Sequence, residues 1–315
     1  MTKRTLLHAL MVTCGVLVLH GCKTNTASDA NRKPELVLEQ GSRPMVPLRY
    51  TIAEGATTTS TMVLSIPAQT TITGEGEALT KAPGLRVVIS SGPAVKLGNG
   101  NTRVNIRIVD ATAVIPQESE VEVEHNFAKS AELLQDVGGW IEIDDRGVVQ
   151  RSELNQAAKN PDLPIRLLMT ILQVRSSLAR VVFPIEPIGT GGRWETRKRI
   201  EMFGFEIEQV DRYTITETVR DGLKLRVEIA ESAPRQTVSF QEEGMKLQLE
   251  SLSVNAQGDL VVDFDALESS GRIEGRATEV LSVERDGRKE RIELDSVFQI
   301  DITVQQGSGE ALARE

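Results

Sequence analysis

The chain has 315 residues, 40% of them apolar and 26% charged, the range of an ordinary globular protein with a sizeable core. Three histidines (His8, His20 and His125) leave almost no material for a zinc site built on several His ligands. The net charge of −9 makes a poor nucleic-acid binder, because phosphate contacts need a concentrated basic face.

Residues 1–21 read as a signal peptide. Lys3 and Arg4 form a positive n-region, and Leu6 to Leu19 is apolar apart from His8 and Thr13. At about fourteen residues the run is shorter than the roughly 20 a membrane-spanning helix needs. It ends in Leu19-His20-Gly21-Cys22. These four residues resemble the lipobox of bacterial lipoprotein precursors, with Leu three before the cysteine and a small residue just before it. His20 departs from the pattern. The resemblance implies cleavage between Gly21 and Cys22, and lipidation of Cys22 by a thioether-linked diacylglycerol and an amide-linked acyl chain such as palmitate. Two or more chains hold a protein stably at a membrane, at ~0.8 kcal/mol per buried methylene. Lys23 stands where the enterobacterial sorting pattern would place Asp for retention at the inner membrane. By that resemblance the address is the bacterial cell envelope, at the outer membrane facing the periplasm. An ordinary secretory signal with an incidental cysteine is the alternative.

Cys14 leaves with the signal and Cys22 is taken up by lipid. The mature chain then has no thiol for a disulfide or a nucleophile. Loss of Lys3 and Arg4 takes the net charge to −11, with 34 basic against 45 acidic side chains. Residues 22–46 are polar, carry two prolines and show no sustained period, which predicts a lipidated flexible tether.

Residues 47–155 predict a first β-meander half. Arg49-Tyr50-Thr51-Ile52 opens a strand, Glu54-Gly55 turns it, and Met62, Leu64 and Ile66 alternate after the turn. Leu85 to Ser90 and Val104 to Val114 flank Gly98-Asn99-Gly100. His125 follows the strand-like Val121-Glu122-Val123-Glu124, and no Gly-x-Ser-x-Gly elbow accompanies it, so a surface strand residue is the simpler reading than a general base. Residues 128–136 suggest a short helix. Asp144-Asp145-Arg146-Gly147 reads as a hairpin turn between Trp140 to Ile143 and Val148-Val149.

Residues 156–192 hold the strongest helix pattern and then a hinge. Asn160-Pro161 supplies a cap and a helix-compatible first proline. Leu163 to Val181 is apolar around most of its circumference, with a polar stripe at Arg166, Thr170, Gln173, Ser177 and Arg180. Such a helix belongs against the inner face of a sheet. Pro184, Pro187 and Gly189-Thr190-Gly191-Gly192 end the connection. The glycine run enters a strand and lacks a following Lys-Ser/Thr, so it is a turn rather than a phosphate cradle.

Residues 193–305 predict a second meander half. Trp194, like Trp140, starts a strand after glycines and reads as a core plug. The basic cluster Arg193, Arg197, Lys198 and Arg199 is interrupted by Glu195 and followed by Glu201, as on a solvated mixed face. One hairpin turns at Asp221-Gly222, a second crosses Ala256-Gln257-Gly258-Asp259 between Leu247 to Val254 and Leu260 to Phe264, and a third turns at Asp286-Gly287. Ile292, Leu294, Phe298, Ile300, Ile302 and Val304 share one face of the last strand. Residues 306–315 read as a disordered tail. Arg212-Tyr213-Thr214-Ile215 repeats Arg49 to Ile52, and the order of turns matches in the two halves, which points to an internal duplication.

The fold class expected is mainly β (α+β): two antiparallel β-meanders forming a curved sheet or half-barrel around one apolar central helix. The acid pairs Asp144-Asp145, Asp263/Asp265 and Glu242-Glu243 read as solvated faces, not as glycosidase carboxylates. No catalytic residue, metal site or cofactor is assigned. The body resembles uncharacterised envelope lipoproteins and, in architecture alone, the half-barrel lipid-carrier lipoproteins. The function implied is a non-catalytic structural or interaction role at the envelope. The alternatives are a periplasmic carrier of a lipid or other hydrophobic ligand and, on the residue inventory least favoured, a hydrolase. The partners implied are the membrane, through the N-terminal lipid, and a hydrophobic ligand or envelope protein, but no nucleic acid.

Overall fold

Period-two alternation builds fifteen strands in the computed structural model, which describes residues 33–65, 67–72, 76–81, 84–114, 128–129, 131–132, 134–154, 180–202, 205–240, 245–285 and 288–307. They are β1 (Lys33–Glu39), β2 (Thr57–Ser65), β3 (Pro67–Ile72), β4 (Gly76–Lys81), β5 (Gly84–Lys96), β6 (Thr102–Val114), β7 (Gly138–Ile143), β8 (Val149–Leu154), β9 (Arg193–Met202), β10 (Phe205–Val219), β11 (Gly222–Ala233), β12 (Gln236–Phe240), β13 (Met245–Asp263), β14 (Ser270–Arg285) and β15 (Arg288–Gly307). All join one open antiparallel sheet in the order β1-β9-β10-β11-β13-β14-β15-β2-β5-β6-β7-β8. β12 pairs with β13, and the β3–β4 hairpin pairs with β15 beside β2.

The two meanders are therefore one sheet. The last strand, β15, pairs with the first strand of the other half, β2, from Gln299↔Ser65 to Gly307↔Thr57. One register row crosses that seam without a break: Trp194, Tyr213, Val227, Gly258, Ile273, Ile300, Leu64 and Leu85 lie opposite one another in turn. All but Gly258 are buried apolar side chains of the core. Each such burial contributes about 1.5–3 kcal/mol, so the inner face of the sheet is the source of stability.

Several expectations hold. The β10–β11 hairpin closes at Val219↔Gly222, β14–β15 at Arg285↔Arg288, and β5–β6 at Lys96↔Thr102. The β7–β8 turn is fixed by Asp144, whose Oδ1 accepts from the backbone N–H of Arg146 at 3.0 Å and of Val148 at 2.9 Å. Residues 128–129 and 131–132 are helical, followed by a turn at 134–136.

Others are corrected. The predicted turn at Ala256 to Asp259 does not exist, because β13 runs straight through it. Ala256 and Gly258 keep the period-two phase of Leu252, Val254, Leu260 and Val262, and both neighbouring strands pair across the segment. Glycine is needed there for close approach: a Cβ on Gly258 would stand 2.2 Å from the Arg272 carbonyl oxygen. This removes one of the matching turns behind the duplication. The repeated tetrapeptide also differs in setting. Tyr213 lies mid-strand, whereas Arg49 to Ile52 is irregular backbone, its N–H groups spent on the Asp145 carbonyl (from Tyr50, 2.7 Å) and the Phe264 carbonyl (from Thr51, 2.8 Å).

Residues 33–46, expected in the tether, are part of the fold. β1 pairs with β9, Gly189 N–H donates to the Gln40 carbonyl, and Val46 bridges Ile188. Pro34 is compatible with this because β1 is an edge strand. At the other end, Gln306 and Gly307, expected in a tail, belong to β15, which stays paired to Gly307. The central helix, apart from Arg180 and Val181, lies outside the described residues, and those two are not helical.

Candidate functional site

Of the sequence-predicted positions, Gly21, Cys22, His125 and Glu242-Glu243 lie outside the described residues. The glycine run does pack as a turn. Ser42 N–H and Oγ both reach the Thr190 carbonyl, at 2.8 and 3.0 Å, and a Cβ on Gly189 would overlap the Ser42 carbonyl oxygen. Trp194 is the core plug expected. It is fully buried, stacks on Tyr213 at 5.0 Å, and donates from Nε1 to the Val182 carbonyl at 2.8 Å. Trp140 is not; it is half-buried, with the Arg103 guanidinium 4.3 Å over its ring.

The inner face carries a polar belt that alternation arguments missed. β9 and β10 present Thr196 opposite Asp211 and Lys198 opposite Gln209, and β11 adds Glu231 opposite Gln209. Lys198, expected on a solvated face, instead points inward with its Nζ 3.4 Å from Asp211 Oδ2. Gln209 Nε2 donates to Asp211 Oδ1 at 2.5 Å. Gln209 is 0% and Thr196 1% exposed, yet Gln209 Oε1 and Thr196 Oγ1 have no hydrogen-bond partner among the described residues. A buried polar atom left unsatisfied costs about 1–3 kcal/mol. Apolar residues bracket the belt along the same strands, with Trp194 and Tyr213 on one side and Ile200 and Ile207 on the other.

A second cluster ties the two halves together at Glu268. Its carboxylate accepts from Ser91 Oγ at 3.1 Å and, weakly, from Thr58 Oγ1 at 3.5 Å. Burial pushes its pKa up, and the hydrogen bond from Ser91 and the charge of Arg180 oppose that only in part. Beside it, a recess of about 10 Å³ is lined by Ile52, Ala56, Ala94 and Val104 among others, which is room for a single water. Tyr50 donates to the Val181 carbonyl at 2.9 Å and packs on Phe183 at 4.8 Å. Burial raises its pKa far above the usual phenol value.

The outer face is laced by cross-strand ion pairs. Arg272 Nε lies 2.6 Å from Asp301 Oδ1, and Arg276 pairs with Asp295. Glu195 is buried beneath two guanidiniums, with Arg197 at 2.6 Å and Arg212 at 2.8 Å. Burial pushes its pKa up, but those two hydrogen bonds outweigh this and hold it below the usual carboxylate value. A depression of about 490 Å³ opens on this face among Arg212, Glu228, Asn255, Gln257, Glu274 and Arg276. On the inner face of β14, Glu279 sits between Leu252 and Leu294, and burial pushes its pKa up to about 7.

Among the described residues, no three His, Cys, Asp or Glu side chains converge to hold a metal, and no helix is long and apolar enough to cross a membrane. No family model and no curated protein matches the sequence. Among solved structures, the chain is similar to one described as "Structure of DynF from the Dynemicin Biosynthesis Pathway of Micromonospora chersina". The two are 9% identical, the match covers 91% of this chain and 94% of that one, and the TM-score is 0.21. A score that low carries no argument about fold or function.

Proposed function

We propose that the protein is an envelope lipoprotein, anchored through an acylated Cys22, whose folded body acts by presenting a surface to a partner rather than by catalysis. The observation that carries the second part is the occupancy of the inner face. Leu225, Val227, Leu260, Ile273, Ile300 and Leu64 are all buried, the recess beside Glu268 holds only about 10 Å³, and the roomy depression lies on the charged outer face. A carrier of acyl chains needs an apolar-lined space of roughly 300 Å³ or more.

A second reading, the carrier of a hydrophobic or amphipathic ligand, draws support from the unpartnered Thr196 and Gln209 oxygens on that same face. Native mass spectrometry of the mature chain carrying Cys22→Ser separates the two. An empty protein that also fails to bind a fluorescent fatty acid supports the solid-core reading, and copurified lipid lost on denaturation replaces it by the carrier. In the native host, Cys22→Ser releases the protein from membranes; if it stays bound, the anchor reading is wrong.

A further inference from the structure

We propose that Lys198 and Asp211 join through an amide bond between their side chains, a self-made cross-link on the inner face with Glu231 as its proton carrier. It goes beyond the proposed function and rests on neither the anchor nor the partner. Cys14 and Cys22 are the two cysteines of the chain and both precede β1, so no disulfide can staple the sheet. The polar belt holds the parts of a different staple.

Lys198 Nζ lies 3.4 Å from Asp211 Oδ2, and the two side chains are only 16% and 3% exposed. The Lys224–Glu217 pair, by contrast, stands half in water. On the outer face, Glu195, Asp295 and Asp301 are held by arginines, which keep their protons and cannot act as nucleophiles. A lysine amine withdrawn from water can. Gln209 and Asp211 are successive inward positions of β10, and Gln209 stands opposite Lys198 of β9 on one side and Glu231 of β11 on the other. Lys198 and Glu231 are therefore both diagonal neighbours of Asp211, and at about 7–8 Å such neighbours are within reach of long side chains. Glu231 is buried as well. Gln209 completes the set, because its Nε2 donates at 2.5 Å to Oδ1, the other carboxyl oxygen of Asp211.

The bond forms by condensation. A proton passes from Lys198 Nζ to Asp211 Oδ2, which leaves a neutral amine beside a carboxylic acid and replaces two charges held away from water by none. The Nζ lone pair attacks Asp211 Cγ, and the carbonyl pair moves onto Oδ1, where the Gln209 N–H meets the developing charge. The Glu231 carboxylate takes a proton from the attacking nitrogen and returns it to Oδ2. The Cγ–Oδ2 bond breaks with its electron pair, one water leaves, and Oδ1 becomes the carbonyl of the new Nζ–Cγ amide. Ammonium and carboxylate thus give amide and water, with no oxidant, reductant or co-reactant. Trp194 and Tyr213 on one side of the belt, and Ile200 and Ile207 on the other, shield the product from hydrolysis. The bond ties β9, which carries the edge strand β1, to β10.

The test reads mass. The purified full chain is denatured and cut at its glutamates, which puts Lys198 on peptide 196–201 and Asp211 on peptide 209–217. The expected product is these two peptides joined, lighter than their sum by one water, with fragment ions placing the bond on Lys198 and Asp211. Lys198→Arg, Asp211→Ala and Glu231→Gln should each abolish it, and Glu231→Asp, which keeps the carboxyl, should retain it. An unchanged circular dichroism spectrum of Glu231→Gln marks its loss as one of chemistry rather than of folding. Two separate peptides from the unsubstituted chain overturn the proposal and leave the contact an ion pair. So does a water lost elsewhere, as at Asp221-Gly222 or Asp286-Gly287, or an ammonia lost with Gln209 as the acceptor. A joined peptide that persists in full in Glu231→Gln overturns the part given to the glutamate.

Discussion

At the scale of single residues, the groups that define this protein are buried polar ones set among apolar neighbours. Glu279 is the sharpest case. It faces inward on β14 beside leucines, and desolvation lifts its pKa from 4.5 to about 7. A carboxyl whose folded pKa is raised binds its proton more tightly in the folded state. Between pH 4.5 and 7 the unfolded chain ionises first, so stability falls as pH rises, and the loss is complete above pH 7. Glu279→Gln should remove that loss, raising stability on the order of 1–3 kcal/mol at pH 8 and leaving it unchanged at pH 4. Urea unfolding of both proteins at the two pH values checks this; a gain of equal size at both would mean the effect is packing, not ionisation. Glu268 shifts in the same direction. Asp295 is held low by its hydrogen bond from Arg276, and Asp301, despite desolvation, by hydrogen bonds from Gln299 and Arg272, so both matter only in acid.

At the scale of elements, β13 decides how far a sequence reading could go. The hairpins at Asp221-Gly222 and Asp286-Gly287 were legible because both strands lie next to their turn in the chain and the apolar phase restarts after it. Ala256-Gln257-Gly258-Asp259 has the same composition, but the phase passes through it unbroken, and phase is the better guide. β1 was illegible because Lys33-Pro34-Glu35 looks like linker, and only the vacant edge of β9 makes it a strand. The polar belt was illegible for a related reason: Thr196, Lys198, Gln209 and Asp211 sit at inward positions, so alternation by polarity reads them as outward. Continuity of β13 has a direct consequence. The amides of Ala256 to Asp259, lying between β11 and β14, should exchange as slowly as those of Leu252 and Leu260, whereas a solvent-facing turn would exchange within seconds. Gly258→Val should destabilise by several kcal/mol, because the new side chain meets the backbone of Arg272 and Ile273 and neither can yield without breaking the ladder. Fast exchange with a neutral Gly258→Val would restore the turn.

At the scale of the whole molecule, the β15–β2 seam determines whether the halves behave as two domains or one. Local patterning predicts a boundary near residue 192 and carries no sign of the seam, because the pairing that joins Ser65 to Gln299 spans most of the chain. The seam makes the halves one unit. Separating the halves at the seam would expose two long strand edges and cut the apolar row between Ile300 and Leu64, and the Glu268 cluster binds Ser91 and Thr58 from the other half. The two tryptophans report on this independently, since Trp140 lies in β7 of the first half and Trp194 in β9 of the second. In Trp194→Phe, fluorescence follows Trp140 alone; in Trp140→Phe, it follows Trp194 alone. Within each variant, the fluorescence transition in urea should coincide with the far-ultraviolet circular dichroism transition, because loss of either half removes the partner edge of the other. Comparing probes inside one variant cancels whatever stability the substitution itself removes. A fluorescence midpoint that departs from the dichroism midpoint in either variant would mean that the seam yields first and that the halves unfold as separate domains.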